Sequence, residues 1–183
     1  MNLRDTLTGY GLITRLLHWL MAIAIFGVFG LGYWMVTLSY DHPNYNSAPD
    51  LHRSVGILLG LALVFRLIWR LLNVHPDDGE LSRAERIGAK AAHWGFYVLL
   101  AAITVSGYLI TTSDGRPVDV FSLFSIPSAV VDKNLSDTAG YIHWILAYIV
   151  IALAVLHSAA ALKHHFVDRS SILKRMWSGP PRN

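Results

Sequence analysis

The stretch Ala139–Leu162, AGYIHWILAYIVIALAVLHSAAAL, decides how this chain is read. It holds no aspartate, glutamate, lysine or arginine, and it exceeds the roughly 20 helical residues that cross the hydrocarbon core of a bilayer. Its polar content is concentrated in two histidines, His143 and His157, which lie 14 residues apart. At 3.6 residues per turn they return to within roughly 40° of one helix face and stand roughly 21 Å apart along the axis. One face of one membrane helix therefore offers an imidazole near each membrane surface. Such groups are costly inside a bilayer and are functional candidates by default.

Working outward, three further apolar windows reach spanning length: Ile13 to Leu38, Leu51 to Leu72 and Ala91 to Thr112. With the fourth they predict an all-α fold, an integral membrane four-helix antiparallel bundle forming a single membrane domain, followed by a basic tail over residues 163–183. The 183 residues are 54% hydrophobic and 15% charged, against about 25% charged in a soluble domain. Arg53, Arg66 and Arg70 fall near the ends of the second window, where arginine snorkels to the headgroups. The first apolar run is too long for a cleavable signal and reads as the first membrane helix. The absence of cysteine excludes disulfides, thiolate-held metal centres and thioether-linked haem. A redox centre here must use histidine or methionine.

Twelve of the fifteen lysines and arginines lie in the N-terminal segment, the middle loop with its flanking helix ends, and the C-terminal tail; Arg53, Arg116 and Lys133 lie opposite. The positive-inside rule then places both termini in the cytoplasm. The net charge of +3 reflects this topology and contact with membrane lipid, and no nucleic-acid partner is expected.

Five of nine histidines fall inside the windows: His18, His52, His93, His143 and His157. Antiparallel threading puts His52 at the outer level with His143, and His18 at the inner level with His157. Two cross-helix imidazole pairs are what two b-type haems need, since each neutral nitrogen supplies one axial bond to iron. At the inner level spacing alone leaves His93 as a rival to His18. The similar depth of His18 and His157 favours His18, and a structural hydrogen bond is the leading reading of His93. Gly27, Gly30, Gly56, Gly60 and Gly107 offer faces on which a flat macrocycle can lie, and Gly56 and Gly60 also form a GxxxG packing pattern. Arg15 and Arg53 stand near His18 and His52 in sequence and suit haem propionates. Trp19, Trp34, Trp69, Trp94 and Trp144 read as interfacial anchors.

Arg15-Leu16-Leu17-His18-Trp19, Leu51-His52-Arg53-Ser54-Val55-Gly56, Gly140-Tyr141-Ile142-His143-Trp144 and Leu156-His157-Ser158-Ala159, with Ala160-Ala161-Leu162-Lys163-His164-His165 after it, together resemble the bacterial cytochrome b561 family. The similarity runs from about Leu12 to Arg175. The resemblance implies a di-haem protein of the bacterial inner membrane, with His18 and His157 holding the inner haem and His52 and His143 the outer one. It implies exchange of electrons with ubiquinone, and some members look like superoxide oxidases. The first outer loop, Ser39 to Asp50, carries Asp41 and Asp50 without lysine or arginine, so long-range steering of the superoxide anion is not built in. A local patch of Arg53 and Lys133 remains. His164 and His165 suit a quinone site, where a carbonyl needs a donor and a proton. The runner-up function is a haem-bearing anchor that passes electrons between a partner dehydrogenase or hydrogenase and quinone. A metal or proton transporter ranks third, because it leaves the 14-residue spacing unexplained.

Overall fold

The structure is a computed structural model that describes residues 2–77, 80–132 and 134–179. Four helices traverse it alternately: α1 (Leu12–Met35), α2 (Ser47–Leu72), α3 (Arg83–Thr112) and α4 (Leu135–Phe166), each long and apolar enough to cross a membrane. They are the four windows read from the sequence, with different ends. The third helix starts eight residues before the expected Ala91 because Ser82 and Glu85 form a capping box. Glu85 Oε2 accepts from the Ser82 amide at 3.0 Å, and Ser82 Oγ accepts from the Glu85 amide at 3.4 Å. That reciprocity satisfies helix-start amides in water, beyond the apolar stretch. The first helix stops at Met35 instead of Leu38, and the Thr37 amide and hydroxyl both donate to the Trp34 carbonyl, at 3.0 and 2.7 Å. Residues 163–183 are not uniformly tail: the first four complete α4, and Ile172–Ser178 form a short α5.

Helices α1 and α2 pack as one antiparallel hairpin and α3 and α4 as another. The hairpins meet chiefly through α2 and α3, while α1 and α4 touch sparingly. At the α2–α3 seam Gly60 lets the backbones close in, since a Cβ there would lie 2.6 Å from Thr104 Cγ2. Close approach at small residues is how helices gain contact in lipid, which gives no hydrophobic drive. Met21, Leu63 and Tyr97 form the buried cluster beside that seam, packed by Leu59, Ala62, Leu67 and Leu100. Most other large apolar side chains face outward, Leu20, Ile23, Val98 and Leu156 among them. That is the pattern of a protein whose surroundings are hydrocarbon.

The first and last described residues lie at one end of the bundle. There Trp177 of α5 packs edge-on against Trp19 at 5.4 Å, Trp19 Nε1 donates to the Met176 carbonyl at 3.2 Å, and Arg15 donates to the Trp177 carbonyl. At the opposite end the long loop folds into a hairpin that the sequence did not announce, β1 (Val118–Val120) against β2 (Phe124–Ile126). Phe121 and Ser122 turn it with φ of 49° and 57°. The hairpin is docked on α2: Ser54 Oγ donates to the Asp119 carbonyl at 3.3 Å and accepts from the Phe121 amide at 3.2 Å. Val118 and Val120 of β1 are buried.

Candidate cofactor sites

Inside the bundle, the ring centres of His52 on α2 and His143 on α4 are 6.1 Å apart. Toward the end with the termini, those of His18 on α1 and His157 on α4 are 6.3 Å apart. A metal-bound imidazole nitrogen sits about 2 Å from its ion, and each ring centre is about 1.2 Å further out, so two rings on one ion have centres about 6.3 Å apart. Both pairs match that span. The rival His93 on α3 also lies beside His157, at 5.6 Å, short of it. Phe96 packs edge-on against His157 at 5.7 Å and walls the same site.

The imidazole chemistry at the first pair is directed from behind. His143 Nδ1 lies 3.0 Å from the Ile103 carbonyl and 3.1 Å from Ser106 Oγ. A carbonyl only accepts, so Nδ1 carries the proton and Nε2 keeps its lone pair free for a metal. Two glycines place the rings. A Cβ at Gly107 would stand 3.0 Å from His143 Cε1, and one at Gly32 would stand 2.9 Å from His52 Cε1. Val28, Phe29, Gly56, Leu59, Ile103, Thr104, Val150 and Ile151 line the cavity that contains both rings, and open space lies beside Gly27, Gly30 and Gly56. Paired imidazoles of matching span, a fixed tautomer, apolar walls and bare helix backbone fit a flat iron porphyrin.

Of the other expected residues, Arg53 is bonded to Asp50, one turn earlier. It sits on the wall of a cavity of about 780 Å³ between α2 and the hairpin, with Trp34, Asn44, Ser54, Arg116 and Asp119. Arg116 is likewise paired, its Nε 2.6 Å from Asp114 Oδ2. Arg15 is turned toward the C-terminal segment, and its Nε is buried without a partner. His164 Nδ1 lies 2.7 Å from Asp168 Oδ2 at the end with the termini. There Lys163 Nζ bridges Glu85 at 2.9 Å and Asp168 at 2.7 Å, so this acidic cluster already holds its cation. The ammonium and His164 hold the Asp168 carboxyl below the usual carboxylate range. His165 Nδ1 is buried with no partner. Lys133, of the suggested outer patch, and Arg182 lie outside the described residues.

Sequence reasoning missed three participants. Gly32 belongs to the same run as Gly27 and Gly30 and was findable as a third small residue. Ser106 carried no signal. Arg66, expected to snorkel, instead points into the bundle, with Nη2 3.3 Å from His18 Nδ1. Its neighbour Arg70 lies over the Tyr97 ring at 5.9 Å.

The sequence matches the prokaryotic cytochrome b561 family over residues 9–179. It is 47% identical over 180 residues to cytochrome b561 homolog 2 of Escherichia coli strain K12, covering 96% of this chain and 95% of that one. It is 28% identical over 127 residues to a probable superoxide oxidase, CybB, of Yersinia pestis, covering 69% of this chain and 72% of that protein.

Proposed function

The chain belongs to the prokaryotic cytochrome b561 family, and we propose that it is a di-haem cytochrome that carries electrons across the bacterial inner membrane to the ubiquinone pool. Family membership makes it a multi-pass membrane electron-transfer protein and implies b-type haem. The observation that carries the two-haem reading is the recurrence of one imidazole separation, 6.1 and 6.3 Å, at two levels of α4. On this reading His52 and His143 hold the outer haem and His18 and His157 the inner one, with both termini cytoplasmic by the distribution of lysine and arginine.

When bound, each haem supplies a one-electron carrier whose iron, held by two imidazoles, keeps no vacant position for oxygen. The chain's own residues do the rest. Ile103 and Ser106 orient His143, Gly32 and Gly107 give the rings room, and the apolar wall of Val28, Phe29, Leu59 and Ile151 excludes water. At the cytoplasmic end His164, 2.7 Å from Asp168, would donate to a quinone carbonyl. Superoxide as the outer donor is supported by the name of the Yersinia pestis relative. The pairing of Arg53 and Arg116 with aspartates leaves encounter to diffusion, with little steering by charge.

Detergent-purified protein should contain two haems per chain with low-spin spectra, become reduced by superoxide and be reoxidised by ubiquinone. His18→Ala, His52→Ala, His143→Ala and His157→Ala should each leave one haem, and His93→Ala two. A folded wild type with fewer than two refutes the reading. Haem loss in His93→Ala with retention in His18→Ala overturns the inner pairing.

A further inference from the structure

Helix α2 repeats the spacing of α4. His143 and His157 are 14 residues apart on α4, and His52 and Arg66 are 14 residues apart on α2, so both pairs return to nearly one face at two depths. Where α4 offers a second imidazole, α2 offers a guanidinium. Arg66 reaches the inner level, its Nη2 3.3 Å from His18 Nδ1. Both atoms cannot be donors, and an imidazole that binds metal through Nε2 carries its proton on Nδ1. The contact is therefore one that a bound haem displaces, leaving the guanidinium in need of another partner. Among the described residues no carboxylate pairs with Arg66, whereas Arg53, its outer counterpart in charge, is bonded to Asp50. An arginine inside a membrane bundle is costly without a counter-anion.

Resting on the di-haem reading above, we propose that Arg66 binds the carboxylate edge of the inner haem and raises that haem's reduction potential above the outer one. A fixed positive charge favours the state holding one more electron. With the guanidinium at the carboxylate edge, on the order of 10 Å from the iron, a unit charge at an effective dielectric of about 20 would bias a one-electron equilibrium by more than tenfold. Among the described residues the outer site has no equivalent, because Asp50 offsets Arg53. Electrons entering from the outside then collect at the cytoplasmic haem, beside the end of α4 that carries His164.

The test is a redox titration of purified wild type, Arg66→Gln and Arg66→Lys, with haem per chain measured on each. Arg66→Gln should keep two haems and lower one midpoint by at least tenfold in the equilibrium, about 59 mV for one electron, with the other midpoint unmoved. Arg66→Lys should recover most of the shift. Two haems with both midpoints unchanged in Arg66→Gln overturn the proposal. If Arg66→Gln loses a haem, Arg66→Lys decides: retention supports a cationic contact, and equal loss overturns it in favour of a packing role. Fewer than two haems in the wild type instead defeats the di-haem reading itself, so the two failures are distinct.

Discussion

Replacing Gly32 by alanine separates a cofactor-holding imidazole from one that merely packs. The new Cβ would stand 2.9 Å from His52 Cε1 and 3.3 Å from its Nδ1. Ordinary carbon contact begins at about 3.5 Å, so the ring must retreat by about 0.6 Å. Without a metal this is a small demand, because the imidazole is the end of a side chain and can swing. The gain of roughly 1 kcal/mol from removing a helical glycine offsets much of it. With a metal it is a large one, since ligand distances hold to about 0.2 Å. Disturbing the groups that orient a ligand typically costs about 10–100-fold in metal affinity, or roughly 1.4–2.8 kcal/mol. Gly32→Ala should therefore lose the outer haem, or hold it weakly, while its helical content and expression stay near those of the wild type. Haem per chain and the reduced-minus-oxidised spectrum are the measurements. Gly88→Ala is the control, as a Cβ there meets nothing within 4 Å, and it should keep both haems. Two tightly held haems with an unaltered spectrum in Gly32→Ala would refute the reasoning.

Gly60→Ala should act on stability instead of cofactor. Its Cβ would lie 2.6 Å from Thr104 Cγ2, and overpacking of this kind costs about 1–3 kcal/mol, so heating should unfold the variant several degrees early with two haems still bound at room temperature. Acid should loosen the end of the bundle that carries α5. Lys163 and His164 depress the Asp168 carboxyl, and the Ser171 hydroxyl and amide depress that of Glu80. A depressed folded value means stabilisation that is complete above the ordinary carboxylate range and lost as pH falls through the lowered one. Between pH 7 and pH 3 the fluorescence of Trp177, packed on Trp19, and cleavage after Arg175 should report release of α5, with the change centred below about pH 4. Release centred above pH 5 would show that other groups govern it.

The spans and the helix faces of the histidines were legible because each follows from one regular dimension. Hydrocarbon thickness fixes the length of each apolar run, and the turn of the α-helix fixes which histidines share a face. Neither depends on side-chain packing. Helix ends were less legible: the capping box at Ser82 lies in water, where hydropathy is silent, although the serine–glutamate spacing does mark it. The hairpin at Val118–Ile126 escaped because its two three-residue strands owe their existence to Ser54, more than 60 residues earlier. Arg66 was misjudged because depth along a helix can be counted from sequence, while the direction a long side chain takes depends on what competes for it. In this bundle the Arg66 guanidinium lies beside His18.

Each imidazole pair draws one ring from the α1–α2 hairpin and one from the α3–α4 hairpin, His18 of α1 and His52 of α2 both facing α4. Two helical hairpins can enter a bilayer and settle independently, one after the other as the chain is made. Neither can grip a macrocycle alone. Whatever joins the paired rings is thus a clasp between the two hairpins, and its supply governs assembly by mass action: a ligand at a hundredfold its dissociation constant favours the closed form by about 2.7 kcal/mol. A cell starved of iron would hold this chain as two hairpins joined chiefly along α2 and α3, with the paired imidazoles unbridged between them.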